Sequence, residues 1–312
     1  MKALEQAVGV DIGGTNIKLA LVDSNGSILN KAVMETGNAW ERSSFYLKLY
    51  NKIAEILKPE SSWQHIIGVG IGVPGLVDSA RGHVFYAPNL RWDGIDLKRE
   101  LADHIPTSIR IGNDANVATL GEAWMGAGVG EENIVMITLG TGVGSGVLIN
   151  GQLYTGQGVG TEIGHMVIDS KGPKCVCGSR GCFETLVSAK AIATRATEII
   201  GEQISKKELK KVFASAKKGD ANATRVVNET ATYLGIGIAN IINIFNPSKL
   251  IIGGGISMAG NVLIEPAVEV AKEYSLKAAL ERVTVVRAQL GNDAGVIGAG
   301  GLFLRGESND KN

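Results

Sequence analysis

The run from Gly160 to Glu184, GTEIGHMVIDSKGPKCVCGSRGCFE, contains all three cysteines of the chain, Cys175, Cys177 and Cys182, and also His165, one of only four histidines. One imidazole and three thiolates make a complete tetrahedral zinc set. Gly178 and Gly181 permit the bends that let the thiols converge. The CxC pair is tighter than zinc-finger spacing, and three ordinary thiols in a reduced compartment are the plain alternative. Ligand type and clustering favour the metal. Four protein ligands leave no position for water, so the expected ion is structural. The functional groups are then the carboxylates that bracket it, Glu162 and Glu184.

Three glycine turns follow apolar runs: Asp11-Ile12-Gly13-Gly14-Thr15, Thr138-Leu139-Gly140-Thr141-Gly142-Val143-Gly144, and Gly253-Gly254-Gly255. A turn without side chains lets backbone N–H groups face phosphate oxygens. None is a Walker or dinucleotide motif, and a glycine after a strand is ordinarily a plain turn. Three of them, two carrying the hydroxyls of Thr15, Thr138 and Thr141, point to a nucleotide held between two domains. Asp11 is either a turn cap or a holder of hydrated Mg2+. Asp114, in Gly112-Asn113-Asp114, is either an N-cap or a general base that takes the proton of a sugar hydroxyl. Asn113 and Asn89 offer amides to a polyol.

The elements that must position these groups follow from periodicity. Val8–Ile12, Lys18–Val22 and Ile28–Val33 read as a strand meander. Phe45, Leu49, Ile53 and Ile56 share a helical face that Pro59 closes. Ile66–Val73 and Ser108–Ile111 read as strands, and Val117, Leu120 and Trp124 as a helix stripe with Asp114 near its N-cap. From Ile134 the opening pattern returns: strand, glycine turn, strand Ser145–Ile149, and the hairpin Asn150-Gly151. This is read as a duplicated unit, one per domain. The rest is largely helical: Ala189–Ile200, a Lys-rich solvated segment at 206–218, and a long stripe from Val227 to Phe245. Strand Leu250–Ile252 and a Gly/Ala-rich helix Ala294–Leu304 follow, with a frayed tail at 307–312.

The chain has 312 residues, with Lys+Arg and Asp+Glu both 31. The balance argues against a nucleic-acid surface. The odd cysteine count, the lack of a long apolar N-terminal core and the lack of a spanning run argue for a cytoplasmic protein without membrane attachment.

Taken together, these residues resemble the ROK family of repressors and sugar kinases, of the actin-like ATPase (ribonuclease H-like) fold. Asp11–Thr15 resembles its first phosphate motif, Thr138–Gly144 its second and Gly253–Gly255 its adenosine motif. Thr161–His165 and the CxCGxxGCxE of Cys175–Glu184 resemble the family signature. The resemblance implies an α/β protein with duplicated mixed-sheet domains: a small one at 1–113 plus 294–312, and a large one at 114–293 that carries the zinc loop. It implies a cleft that closes on sugar and Mg-ATP. It makes Asp114 the base and places Asn89, Asn113, Asp114, Glu162, His165 and Glu184 around the sugar. It assigns zinc to His165, Cys175, Cys177 and Cys182, and suggests a homodimer or homotetramer. Repressor members carry an N-terminal helix-turn-helix domain. Only seven residues precede the first expected strand here, so the expectation is the kinase branch.

The resulting expectation is a glucokinase of glycolysis that phosphorylates the 6-hydroxyl of glucose. Its rivals are a kinase for mannose, fructose, N-acetylglucosamine or N-acetylmannosamine, a non-catalytic sugar sensor, and a zinc hydrolase, which a filled coordination shell opposes.

Overall fold

A computed structural model describes residues 4–58 and 61–305. Strands β1 (Gln6–Ile12), β2 (Asn16–Asp23) and β3 (Ile28–Glu35) form an antiparallel meander. Asp23 closes its second bend, accepting from the N–H groups of Asn25 and Ser27 at 2.9 Å each. Helix α1 (Arg42–Leu57) buries the expected stripe of Phe45, Leu49, Ile53 and Ile56. Pro59 lies outside the described residues, as does the tail at 307–312; Lys58 is the observed cap. Strand β4 (Ile66–Val73) joins β1 in parallel. Both are buried along almost their whole length, as strands covered on two faces must be.

Strands β5 (Leu76–Asp78), β6 (His83–Ala87) and β7 (Trp92–Ile95) then form a small antiparallel sheet that periodicity does not announce. Each is too short to set up a visible alternation. Helix α2 (Leu97–Ala102), β8 (Ile109–Asn113) and α3 (Asp114–Met125) follow. The first sheet has the order β3-β2-β1-β4-β8.

Next come β9 (Ile134–Leu139), β10 (Val143–Ile149) and β11 (Gln152–Leu153). The bend between the last two is a tight hairpin, with Asn150 at φ 53° and Gly151 at φ 77°. Helices α4 (Phe183–Val187), α5 (Ala189–Ile200), α6 (Leu209–Lys217) and α7 (Ala221–Phe245) lead to β12 (Lys249–Gly253). The Lys-rich segment is only half solvated, because α6 buries Leu209, Val212 and Phe213 on its other face. Helix α7 ends at Asn246, whose left-handed φ of 42° stops it before Pro247. Helices α8 (Asn261–Tyr274) and α9 (Lys277–Leu280), strand β13 (Thr284–Arg287) and helix α10 (Ala294–Leu304) complete the order. The second sheet runs β11-β10-β9-β12-β13, which repeats the order of the first. The repeat read from the sequence is therefore a repeated sheet topology.

The chain divides into two compact units. One is Met1–Glu132 with Gly146–Thr161 and Gln289–Asn312; the other is Asn133–Ser145 with Glu162–Ala288. In the first unit, α10 lies against β1, β4 and α3 at backbone distance. A side chain at Gly70 would strike the carbonyl of Ala299, and one at Gly298 the carbonyl of Val117. Among the described residues no helix is long and apolar enough to cross a membrane.

Candidate active site and metal centre

In the first unit, Asp11, the penultimate residue of β1, lies opposite Lys18 of β2 and Gly72 of β4. Lys18 Nζ stands 3.9 Å from Asp11 Oδ2 and donates to the Asn292 carbonyl at 3.2 Å. Burial raises the Asp11 carboxyl above its ordinary range, and the Lys18 charge opposes the shift. The turn that follows is tied down from outside. Gly13 N–H reaches the Asn16 carbonyl at 3.0 Å, and Thr36 binds two carbonyls: its hydroxyl donates to Gly13 at 2.6 Å and its N–H to Thr15 at 2.9 Å. Gly14 and Thr15 remain exposed.

Asn89 sits in a one-turn 3-10 helix, Pro88–Leu90, between β6 and β7. It lies beside the first glycine turn: a Cβ built on Gly14 would be 3.4 Å from the Asn89 Cβ. Asn113 is the last residue of β8 and the N-cap of α3. Its Oδ1 accepts from the N–H groups of Ala115 at 2.9 Å and Asn116 at 3.1 Å. The cap expected near Asp114 is thus Asn113, because β8 runs two residues further than its apolar core suggests. Asp114 becomes the first residue of α3, half-buried, with Oδ1 accepting from Ala115 N–H at 2.8 Å. Asn113 Nδ2 donates to the Gly75 carbonyl at 2.9 Å. Gly75 has φ 107° and no space for a side chain against the Tyr86 carbonyl. It therefore links Asn113 to the strand that leads into Asn89.

In the second unit, Thr138 pairs in register with Gly253, so the second and third glycine turns lie side by side. Gly140 N–H bonds to the Gly142 carbonyl at 2.9 Å, and the Gly140 carbonyl accepts from Ala189 at the start of α5 at 2.8 Å. Thr141, Gly254 and Gly255 are exposed at the tips. Glu184, in the first turn of α4, accepts the N–H of Val143 on Oε2 at 2.9 Å. A side chain at Gly142 would collide with that carboxylate. Glu162 opens the 3-10 turn Ile163–His165, which is fixed to β10 by Ile163 N–H donating to Ser145 Oγ at 3.1 Å. Loss of solvent raises the Glu162 carboxyl; Glu184 adds to the rise and His165 counters it.

One ligand atom from each of His165, Cys175, Cys177 and Cys182 lies within 4.8 Å of the others. Cys175 Sγ is 3.7 Å from His165 Nδ1, and Cys177 Sγ is 3.6 Å from Cys182 Sγ. Zinc bonds of about 2.3 Å to sulfur and about 2.0 Å to nitrogen give tetrahedron edges of roughly 3.5–3.8 Å, so both pairs stand at ligand spacing. The loop is closed by bridges Val167↔Cys182 and Lys174↔Arg180, with Gly178 at φ 95° and Gly181 at φ 64°. Cys175 and Cys182 are buried and Cys177 is exposed. Burial pushes the Cys182 thiol up to about 12, while the backbone at Ser179 and the neighbouring thiols hold Cys177 below its ordinary value.

Some supporting residues carried no sequence signal. Arg195 on α5 donates to the Leu186 carbonyl of α4 at 3.0 Å and to Thr230 Oγ1 of α7 at 2.9 Å, which seats the helix bearing Glu184. A cavity of about 700 Å³ lies among α6, α7 and α8, lined by Thr224, Val227, Asn228, Asn261, Val262 and Glu265. Its α8 wall begins where the chain leaves the third glycine turn through residues 255–259.

The geometry has recognisable relatives. The ROK family model matches residues 7–305. The chain is 39% identical over 319 residues to the glucokinase of Halalkalibacterium halodurans, covering 96% of each. Among solved structures, the ROK family glucokinase from Streptomyces griseus in complex with glucose and AMPPNP superposes with a TM-score of 0.79 at 32% identity, over 96% of this chain and 100% of that one. The ROK hexokinase from Thermus thermophilus gives a TM-score of 0.84 at 31% identity, over 95% of this chain and 96% of that one. The expected actin-like ATPase fold of ROK sugar kinases is the fold found. The chain belongs to the ROK family.

Proposed function

We propose that the protein is an ATP-dependent glucokinase that moves the γ-phosphoryl group of ATP to the 6-hydroxyl of glucose. The observation that carries this reading is the repeated pairing of a polar candidate with a phosphate turn. Asn89 lies beside Gly14 in one unit, and Glu184 accepts from Val143 in the other. Glucose is favoured among hexoses by the relatives named glucokinase.

Asp114 accepts the 6-hydroxyl proton as O6 bonds to the γ-phosphorus and the bond from that phosphorus to the β-γ bridging oxygen breaks, releasing ADP. Asn89, Glu162, Glu184, the second N–H of Asn113 Nδ2 and His165 Nε2 pair the sugar hydroxyls. Gly13 and Gly140 shape the two turns through their own hydrogen bonds, and the backbone N–H groups of Gly14 and Thr15, and of Thr141 and Gly142 beside Thr138, receive the phosphates. The half-buried carboxylate of Asp11 suits a hydrated Mg2+, whose charge offsets that of the phosphates. The cavity among α6, α7 and α8, next to Gly253, Gly254 and Gly255, suits the nucleoside. His165, Cys175, Cys177 and Cys182 suit zinc, which would shape the loop and take no part in the chemistry. Family resemblance also favours a homodimer or homotetramer in the cytoplasm.

The test is ADP release with Mg-ATP against a panel of hexoses and N-acetylhexosamines, with Asp114→Ala as control. Glucose-dependent turnover lost in the variant is expected. Turnover preferring another sugar replaces glucose in the reading, and sugar binding without turnover replaces the kinase with a sensor.

A further inference from the structure

Asn89 is held by more than its own turn. The 3-10 helix Pro88–Leu90 ends in Arg91, which takes the left-handed conformation at φ 56°, ψ 38°. A residue with a Cβ adopts that geometry at a cost, so neighbours must hold it. Two consecutive residues on each side do so. The Arg91 guanidinium lies over the ring of Trp40, 4.3 Å from its centroid. Trp92 Nε1 donates a buried hydrogen bond to the Ala39 carbonyl at 2.9 Å. Trp92 is itself locked edge-on against Phe45 of α1, with ring centroids 5.6 Å apart.

The segment that supplies Ala39 and Trp40 starts at Thr36, whose hydroxyl and N–H hold the Gly13 and Thr15 carbonyls. The contacts therefore close a circuit within one unit. It runs from the first phosphate turn to Thr36, along the chain to Ala39 and Trp40, across to Arg91 and Trp92, back to Asn89, and from Asn89 to Gly14. Trp92 and Ala39 are buried and belong to the core, but Trp40 is 43% exposed and Arg91 is also exposed. A solvent-facing Trp–Arg stack adds little to a core. Here it ties the turn to residue 40 at its exposed edge, beside the buried tie from Trp92 to Ala39.

We propose that Trp40 and Arg91 are positioning residues for the sugar: their stack keeps the Pro88–Leu90 turn in the conformation that presents Asn89 beside the first phosphate turn. The proposal rests on the reading of Asn89 as a sugar contact. It predicts that loosening the stack weakens the sugar without touching the base at Asp114.

The experiment measures glucose KM, kcat, calorimetric glucose Kd and melting temperature for Asn89→Ala, Arg91→Ala, Arg91→Lys, Trp40→Ala, Trp40→Phe and the Trp40→Ala/Arg91→Ala double variant. Arg91→Ala and Trp40→Ala should each raise glucose KM and Kd roughly two- to fivefold, the range of an exposed cation–π contact. kcat should stay within about twofold of wild type. The double variant should be no worse than either single, since both remove one contact. Arg91→Lys and Trp40→Phe should recover part of the loss. Wild-type KM in the stack variants together with a weakened Asn89→Ala overturns the clamp alone. Wild-type KM in Asn89→Ala overturns the Asn89 reading and the clamp with it. Strict additivity in the double variant, or a fall in melting temperature with KM unchanged, also overturns the clamp.

Discussion

Glu184 and Val143 share a hydrogen bond of 2.9 Å between a carboxylate oxygen and a backbone N–H, and Gly142 has no room for a side chain beside it. A candidate sugar ligand is thus built into the wall of a candidate phosphate turn. Charged hydrogen bonds of this kind contribute about 1.5–3 kcal/mol. Glu184→Ala is expected to raise the KM of both glucose and ATP, by roughly tenfold or more. Glu184→Gln keeps an acceptor for Val143 and should weaken glucose far more than ATP. Steady-state titration of each substrate checks this, and an unchanged ATP KM in Glu184→Ala would show that the shared bond has no bearing on the nucleotide.

Asp114→Asn and Asp114→Ala should bind glucose near wild-type affinity and lose turnover by about 10²–10⁴-fold, the usual contribution of a positioned base. Calorimetry and single-turnover kinetics separate the two effects. A variant retaining turnover within about tenfold of wild type sinks the assignment.

Cys177 is the exposed member of the four-ligand cluster. Cys177→Ser, or prolonged chelation of the wild type, should remove bound metal and weaken glucose binding, because the loop carries His165 and lies between Glu162 and Glu184. Metal analysis beside calorimetry is the check. Full affinity in metal-free protein would refute the scaffold role.

Asp11 carries a stability cost. Burial raises its carboxyl above the ordinary 3.8, so ionisation works against the folded state. That cost is absent below the unfolded value, grows as pH rises toward the folded value and is complete above it. Asp11→Asn should therefore melt higher than wild type above the folded value, and the gain should vanish at strongly acidic pH. kcat should fall in the same variant. A lower melting point at pH 7 would mean that the 3.9 Å pairing with Lys18 outweighs the burial.

What the sequence made legible was local. The three glycine turns, the cysteine loop and the stripes of α1 and α7 are written in adjacent or helically spaced residues. What it hid depends on distant partners. Arg195 reads as one more surface residue until Thr230 and the Leu186 carbonyl meet it. Glu122 looks like an exposed helix acid, yet it is fully buried and accepts from the N–H groups of Gln289 and Leu290, 167 and 168 positions away. The sheet β5-β6-β7, which carries Asn89, has strands too short for any period to show. The choice of cap has a subtler origin. Asn113 and Asp114 are both good capping residues, and only the extension of β8 to Asn113 decides between them.

Helix α10 meets β1, β4 and α3 backbone to backbone, although it is separated from β1 by nearly the whole chain. During synthesis the opening strands therefore leave the ribosome with one face bare. Their cover at Gly9 and Gly70 is the Gly/Ala-rich helix α10. The second unit, made of residues 133–145 and 162–288, is complete before that cover arrives. The half that begins first is the half that finishes last, and a nascent chain stalled before residue 294 would expose the apolar face of its oldest strands.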